Sequence, residues 1–338
     1  MKPEILFLKQ EDVIAAGALD MEKILELVER TFYLEGIGEI NNPPKTVFGI
    51  PDDEKRQSRF FTMPVYIRGD VNRPGVKWAA ESDENAKGKI LPMGIDLLIL
   101  SDPVTVLPVA ILDGMVITAM RTAAAAGVAA KYLAPGGAET AGCVGAGVIG
   151  RTMIIALKHV LPNLKKVKLT DLNLEKAKSL AAEFDGQIEV EPVDSVKDAV
   201  YGQDVIATMT TSRKPFVKTE WVKQGCMVIQ MSSYEVEEGV VSLADKVVVD
   251  SWDQIKENTA SVLLKMLQKG KLDENSVIQL KDIVCGNKPG RRSDVETTLF
   301  SSRGLGCLDI MVGDFIYKNA MEKGIGQKLV LWDEPKWV

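Results

Sequence analysis

Apolar residues in the N-terminal third of the chain fall in short runs separated by charged, turn-rich loops. Ile5-Leu6-Phe7-Leu8 reads as a short strand. Asp20 to Leu34 reads as a helix, because Ile24, Leu25, Val28 and Phe32 recur on one face at helical spacing. Asn41-Asn42-Pro43-Pro44 breaks the chain. Three strand-like runs follow, Arg59 to Tyr66, Gly75 to Ala80 and Ile95 to Leu100, and Val104 to Leu112 closes the block. Strands in succession without intervening helices predict one antiparallel sheet.

The pattern then changes. Met115 to Leu133 is Ala-rich and helical, and Thr140 to Val144 is an apolar strand. A helix from about Gly150 to Val160, a strand Val167 to Thr170 and a helix Leu174 to Phe184 come next. Further strands are read at Ile188–Val190, Val205–Thr208, Met227–Gln230 and Lys246–Val249. Strand–helix alternation of this kind predicts a parallel, doubly wound sheet. The tail carries an amphipathic helix around Asp309 to Lys323, expected to return to the first domain. The expected fold is therefore α/β: a Rossmann doubly wound parallel sheet over 115–311, plus a second, mainly antiparallel α+β domain made of 1–114 and 312–338.

Between the strand ending at Val144 and the helix that follows lies Gly145-Ala146-Gly147-Val148-Ile149-Gly150. Glycine is common, so the spacing alone is weak. The strand before it, the helix after it and an acid about 20 residues on make it a dinucleotide-binding loop. Gly145 allows the tight turn, Gly147 lets the backbone approach a pyrophosphate, and Gly150 lets helix and strand pack closely. The helix N-terminus then presents unsatisfied N–H groups to the phosphates. Asp171 ends the next strand. A carboxylate there accepts from ribose hydroxyls and repels a 2′-phosphate, which favours NAD over NADP. Thr210, just after the strand Val205 to Thr208, is expected to line the same cofactor.

Composition narrows the function classes. The chain has 338 residues, 46% hydrophobic and 26% charged, enough for two globular domains and wrong for a disordered chain. A net charge of −6 and a pI near 5.2, without a dense Lys/Arg block, argue against a nucleic-acid partner. The longest apolar stretch, Gly94 to Met120, is interrupted by Asp96, Asp102, Pro103, Pro108 and Asp113, so no membrane span is expected. Cys143, Cys226, Cys285 and Cys307 are far apart and form no metal or disulfide pattern. They read as reduced thiols of a cytoplasmic protein. No metal is expected.

Just before the glycine loop stand Asp113-Gly114, Thr118-Ala119-Met120-Arg121-Thr122-Ala123-Ala124 and Ala130-Lys131-Tyr132-Leu133. Met63-Pro64, Gly75-Val76-Lys77-Trp78, Val249-Asp250-Ser251, Gly290-Arg291 and Ser302-Arg303-Gly304 stand in the matching order along the chain. On these segments nearly the whole chain resembles the ornithine cyclodeaminase/μ-crystallin family. Met63-Pro64-Val65-Tyr66 with Lys77-Trp78 and Asn85 is most similar to the branch that contains siderophore-precursor dehydrogenases. The resemblance implies an NAD(P)-dependent enzyme acting on amino acids or imines, and a homodimer formed through the non-Rossmann domain. It further implies that Arg121 and Lys77 meet the substrate α-carboxylate, joined by Lys45, and that Thr122 and Ser302 line the cofactor. An arginine fork suits a carboxylate. A lysine among Val76 and Trp78 would donate to a carbonyl or imine. By residue type alone a strand lysine is expected in solvent, and the resemblance reverses that expectation. Arg59 competes with Lys45 for the third cationic position.

One departure weakens the simplest assignment. Ornithine cyclodeaminases carry an aspartate after the strand that here ends at Gln230, and Tyr234 stands in its place. Tyrosine carries no charge at neutral pH, leaving Glu235 or Glu237 as substitutes. The expected function is thus an NAD(H)-dependent oxidoreductase at the Cα–N bond of an amino acid or its imine, with Tyr234 beside the substrate. Ornithine cyclodeamination and a non-catalytic nucleotide-binding protein stand as alternatives. The one histidine, His159, lies late in the helix after the loop and is read as structural.

Overall fold

The computed structural model describes residues 3–50, 58–82, 84, 85, 91–212 and 214–337. The chain divides into two compact units, Met1–Arg121 with Leu305–Val338, and Thr122–Gly304.

The first unit opens with β1 (Glu4–Leu8), followed by α1 (Met21–Gly36). Asp20 caps α1, its side chain accepting from Lys23 N, and Ile24, Leu25, Val28 and Phe32 are buried. Strands β2 (Ile40–Asn41), β3 (Thr46–Gly49), β4 (Arg59–Ile67), β5 (Arg73–Glu81), β6 (Gly94–Ser101) and β7 (Pro108–Asp113) follow. Successive strands from β4 to β7 pair antiparallel, but β1 joins β7 in parallel, so the sheet is mixed rather than purely antiparallel. The strand read at Val104–Leu112 starts later than its apolar pattern implies. Asp102 Oδ1 accepts from Val104 N, Thr105 N and Thr105 Oγ1 and closes a turn, leaving Val104 and Val106 exposed. Period-2 alternation puts Met63, Val65 and Ile67 of β4, Lys77 and Ala79 of β5, and Asp96, Leu98 and Leu100 of β6 on the buried face. The opposite face carries exposed Trp78, Ile95 and Leu97. Phe48, Phe60 and Trp78 cluster there, with ring centroids 5.4–6.0 Å apart.

α2 (Met115–Leu133) leads from the first unit into the second. The second unit is a parallel sheet: β8 (Thr140–Val144), β9 (Lys166–Thr170), β10 (Glu189–Pro192), β11 (Val205–Thr208), β12 (Met227–Gln230), β13 (Lys246–Val249), β14 (Val277–Gln279) and β15 (Thr298–Ser301). Helix α3 (Val148–Val160) follows β8, and α4 (Leu174–Ala182) follows β9. The spatial order β10-β9-β8-β11-β12-β15-β13-β14 reverses direction between β8 and β11, the switch point at which doubly wound sheets bind ligands. The sequence pattern gave no hint of β15, which the sheet inserts between β12 and β13. Its sequence, Thr298-Leu299-Phe300-Ser301, has two apolar residues between polar ones, too short an apolar run to mark a buried strand.

The chain then returns to the first unit as α5 (Gly306–Lys323) and β16 (Gln327–Val330), which pairs antiparallel with β1. α5 lies on the buried face of β4–β6, and missing side chains set the spacing. A Cβ on Gly306 would stand 2.9 Å from Met63 Cβ, and one on Gly75 2.7 Å from Ile310 Cδ1. No described helix is long and apolar enough to cross a membrane.

Candidate active site

In the first unit, four neighbouring elements direct charged side chains to one point. Lys77 on β5 and Asp96 on β6 share the buried face as diagonal neighbours, since Lys77 opposes Leu98 and Ala79 opposes Asp96. α2 contributes Thr118 and Arg121, and α5 contributes Asp309. Lys77 Nζ donates to Thr118 Oγ1 at 2.6 Å and to Asp309 Oδ1 at 3.0 Å, and lies 3.2 Å from Asp96 Oδ2. Arg121 Nε donates to the same Asp309 Oδ1 at 3.0 Å. Thr118 Oγ1 in turn donates to Asp96 Oδ2 at 2.6 Å. The lysine therefore makes two hydrogen bonds and a third charge contact with Asp96.

The cluster is dry. Side-chain exposure is 0% for Asp309, 3% for Lys77, 7% for Arg121 and 12% for Asp96. Two cations face two carboxylates, so the group is formally neutral, which is what makes burial of four charges tolerable. Burial opposes the charge on Asp309, but Arg121 and Lys77 outweigh it and hold its carboxyl below the usual carboxylate value. Its second oxygen, Oδ2, is buried with no hydrogen-bond partner among the described residues. Gly114 lets α2 begin against β6: its N–H donates to Asp96 O at 2.9 Å, and a Cβ there would stand 2.9 Å from Asp96 Cβ. The sequence reading found the two cations and missed both acids. An acid at a core position of an alternating strand, and one at position 309 inside the apolar run Leu305–Val312, were the available signals.

In the second unit, the glycine loop has the shape expected of it. Gly145 has φ 113°, and a Cβ there would stand 2.5 Å from Met209 O. A Cβ on Gly150 would run into the carbonyl oxygen of Gly145, whereas Gly147 faces open space. Ala146 N donates to Asp171 Oδ2 at 2.9 Å, tying loop and acid together, and Asn173 N donates to Asp171 Oδ1. Val148 and Ile149 form the first turn of α3, whose cap is Gly147. Each Asp171 oxygen keeps a second lone pair for a ribose hydroxyl. Donor-rich helix start, open glycine and strand-end acid fit a dinucleotide.

The remaining predicted residues are distributed as follows. Thr122 is half-buried on α2, next to Arg121, and Lys45 is half-buried directly before β3. Arg59, its competitor, pairs with Glu81 directly opposite on β5 at 2.7 Å in a half-exposed ion pair. Such pairs contribute about 0–1 kcal/mol. Thr210 follows β11 beside Gly145 and donates through both N and Oγ1 to Glu235 Oε1. Ser302 donates to Asp250 Oδ2 at 2.7 Å, the same oxygen that accepts from Arg303 N and Gly304 N. Tyr234 is half-buried, with Lys265 Nζ 4.0 Å from its ring centroid. Glu235 and Glu237 are occupied elsewhere. Glu235 is fully buried and accepts from Thr208, Thr210 and Ser232; burial raises its pKa, against the pull of those hydrogen bonds. Glu237 accepts from Thr219 N and Oγ1. His159 lies at the C-terminal end of α3 with Nδ1 2.8 Å from Ile155 O.

Known proteins resemble this chain in sequence and fold over nearly its whole length. The chain is 33% identical to Thermococcus litoralis Delta(1)-pyrroline-2-carboxylate reductase, solved in complex with NADH and L-proline, with a TM-score of 0.89 over 96% of this chain and 99% of that one. It is 31% identical to an archaeal alanine dehydrogenase dimer with bound NAD, at a TM-score of 0.87 over 97% and 100%. Among curated proteins it is 27% identical to N-((2S)-2-amino-2-carboxyethyl)-L-glutamate dehydrogenase of Staphylococcus aureus, over 98% of this chain and all of that protein. Residues 4–324 match the ornithine cyclodeaminase/mu-crystallin family, and the chain belongs to it.

Proposed function

We propose that the protein is an NAD(H)-dependent oxidoreductase that transfers hydride at the Cα–N bond of an amino acid or its imine. The observation that carries this reading is the buried pairing of Lys77 and Arg121 on Asp309. Two cations held side by side in a buried site by a shared carboxylate are positioned in advance of an anionic substrate. The relatives named above act on pyrroline-2-carboxylate, alanine and an amino-acid conjugate, all α-amino or imino acids.

In this reading Arg121 and Lys45 hold the substrate α-carboxylate, and Tyr234 lies on the side-chain side of the substrate. Lys77 gives a proton to the imine nitrogen, or takes one from the amine in the reverse direction. Gly145, Ala146, Gly147, Val148 and Ile149 hold the pyrophosphate, Asp171 the ribose, and Thr122, Thr210 and Ser302 line the cofactor. When bound, NAD(H) supplies the two-electron chemistry, and the protein positions the reactants and excludes water. The apolar sheet face of Phe48, Phe60, Trp78 and Leu97 serves as the contact between two copies in a cytoplasmic homodimer.

NADH absorbance, followed with Δ1-pyrroline-2-carboxylate and with pyruvate plus ammonia, tests the reading. Steady NADH consumption with either is expected, lost in Lys77→Ala and Arg121→Ala. Proline and ammonia formed from ornithine without net NADH change would replace it with the cyclodeaminase reading. Nucleotide binding without any turnover would replace it with a binding protein.

A further inference from the structure

Lys77 is 3% exposed, so any proton it exchanges with substrate needs a route to water. The charged groups facing Nζ are Asp309 from α5, Arg121 from α2 and Asp96 from β6. Asp309 has no solvent contact and its two cations keep it charged. Arg121 does not release protons. Asp96 is the most exposed of the four charged members, and Thr118 Oγ1 bridges it to Lys77 with 2.6 Å on either side. Thr118 Oγ1 also lies 2.7 Å from Gly114 O, one turn back, the alternative acceptor for its single proton.

We infer that Thr118 and Asp96 are the proton path that recharges Lys77 from solvent. The inference rests on the reading of Lys77 as proton donor. In the reductive direction the Nζ–H bond breaks as the N–H bond on the substrate forms. Solvent then gives a proton to the Asp96 carboxylate, the least buried of the four charged side chains. The new Asp96 O–H bond breaks as Thr118 Oγ1 gains a proton, and the original Thr118 O–H bond breaks as a new Nζ–H bond forms, which returns Asp96 to the carboxylate. One proton enters and one reaches substrate, with no electrons moved. Amine oxidation runs the same path outward. Thr118 and Asp96 act through Lys77 and need not touch substrate.

Thr118→Val keeps the shape and removes the hydroxyl, Thr118→Ser restores it, and Asp96→Asn leaves an amide that cannot pass the proton. Positioned proton transfer contributes about 10²–10⁴-fold, so kcat should fall about 100-fold or more in Thr118→Val and Asp96→Asn, with KM little changed and Thr118→Ser within roughly threefold of wild type. A second readout does not need turnover: exchange of the Lys77 ammonium protons with water, by NMR of ¹⁵N-lysine protein assigned with Lys77→Met. The path predicts slower exchange in Thr118→Val. A role confined to packing predicts a loosened cluster and faster exchange. Unchanged or faster exchange, or retained kcat, overturns the path. Failure of the wild type to turn over any imino or 2-oxo acid instead overturns the enzymatic reading, and the exchange rate still decides the path.

Discussion

Asp309→Asn removes one charge from the buried cluster while preserving its shape. The amide oxygen still accepts from Lys77 Nζ and Arg121 Nε, each 3.0 Å from Oδ1 in the native protein. The amide nitrogen takes the place of Oδ2, which has no partner to lose among the described residues. What changes is the balance: two buried cations are left with Asp96 alone. Removing one partner of a buried pair costs about 3–5 kcal/mol, and the surviving hydrogen bonds and Asp96 put this case near the lower end, about 3 kcal/mol. That is roughly two decades in the folding equilibrium. Urea unfolding followed by tryptophan fluorescence measures it, with Trp78 on β5 reporting the first unit. The pH dependence provides a second check. Asp309 has its folded pKa lowered, so its contribution is present above the ordinary carboxylate range and lost as pH falls through the folded value. The difference between wild type and Asp309→Asn should be full at neutral pH and shrink on acidification. A loss under about 1 kcal/mol at neutral pH, or a difference that does not shrink in acid, would refute the claim that ionised Asp309 holds the cluster together.

Asp171→Ala should weaken NADH binding by about 1.5–3 kcal/mol, the worth of hydrogen bonds to a charged group, while leaving NADPH less affected. Fluorescence titration with both nucleotides measures this, and an unchanged NADH/NADPH preference contradicts the assignment. Gly150→Ala forces a Cβ against the Gly145 carbonyl and should cost about 1–3 kcal/mol of stability by overpacking, together with nucleotide affinity. Thermal melting with and without NADH separates the two losses, and a variant that melts and binds like wild type removes the packing argument. Burial pushes the Cys143 thiol up to about 12 and the Cys226 thiol to about 11, and holds Cys307 well above its usual value. Cys285 is partly exposed, so a thiol reagent should modify it first in the folded protein and all four once urea is added. Early labelling of Cys143, Cys226 or Cys307 would show that the core opens more readily than its packing implies.

The parts of this protein legible in its sequence are those whose signal is local. The glycine loop declares itself because a tight turn at φ 113° and a helix start against Gly145 O both demand glycine. α1 and β4–β6 declare themselves because each has one face in the core and one outside it, so the hydrophobic period matches the element. β15 does not, because Thr298-Leu299-Phe300-Ser301 holds only two apolar residues between polar ones, whereas the equally short and buried β11 and β12 each carry a run of three. The cluster in the first unit divides along the same line. Lys77 and Arg121 were named through segments that resemble a family, and their acidic partners belong to no such segment. Asp309 meets Lys77 across 232 residues of chain and Arg121 across 188. Yet the strand period already placed Asp96 with Leu98 and Leu100, and helix spacing placed Asp309 with Gly306 and Gly313 on the face that must approach the sheet. A carboxylate at a position the periodicity assigns to the core cannot be left alone there, since an unpaired buried charge is too costly to keep. Two unexplained acids on core faces, beside a strand lysine and a helix arginine, imply a closed ion cluster before any coordinates are consulted, and that rule extends the reach of sequence reasoning from motifs to the partners that hold them.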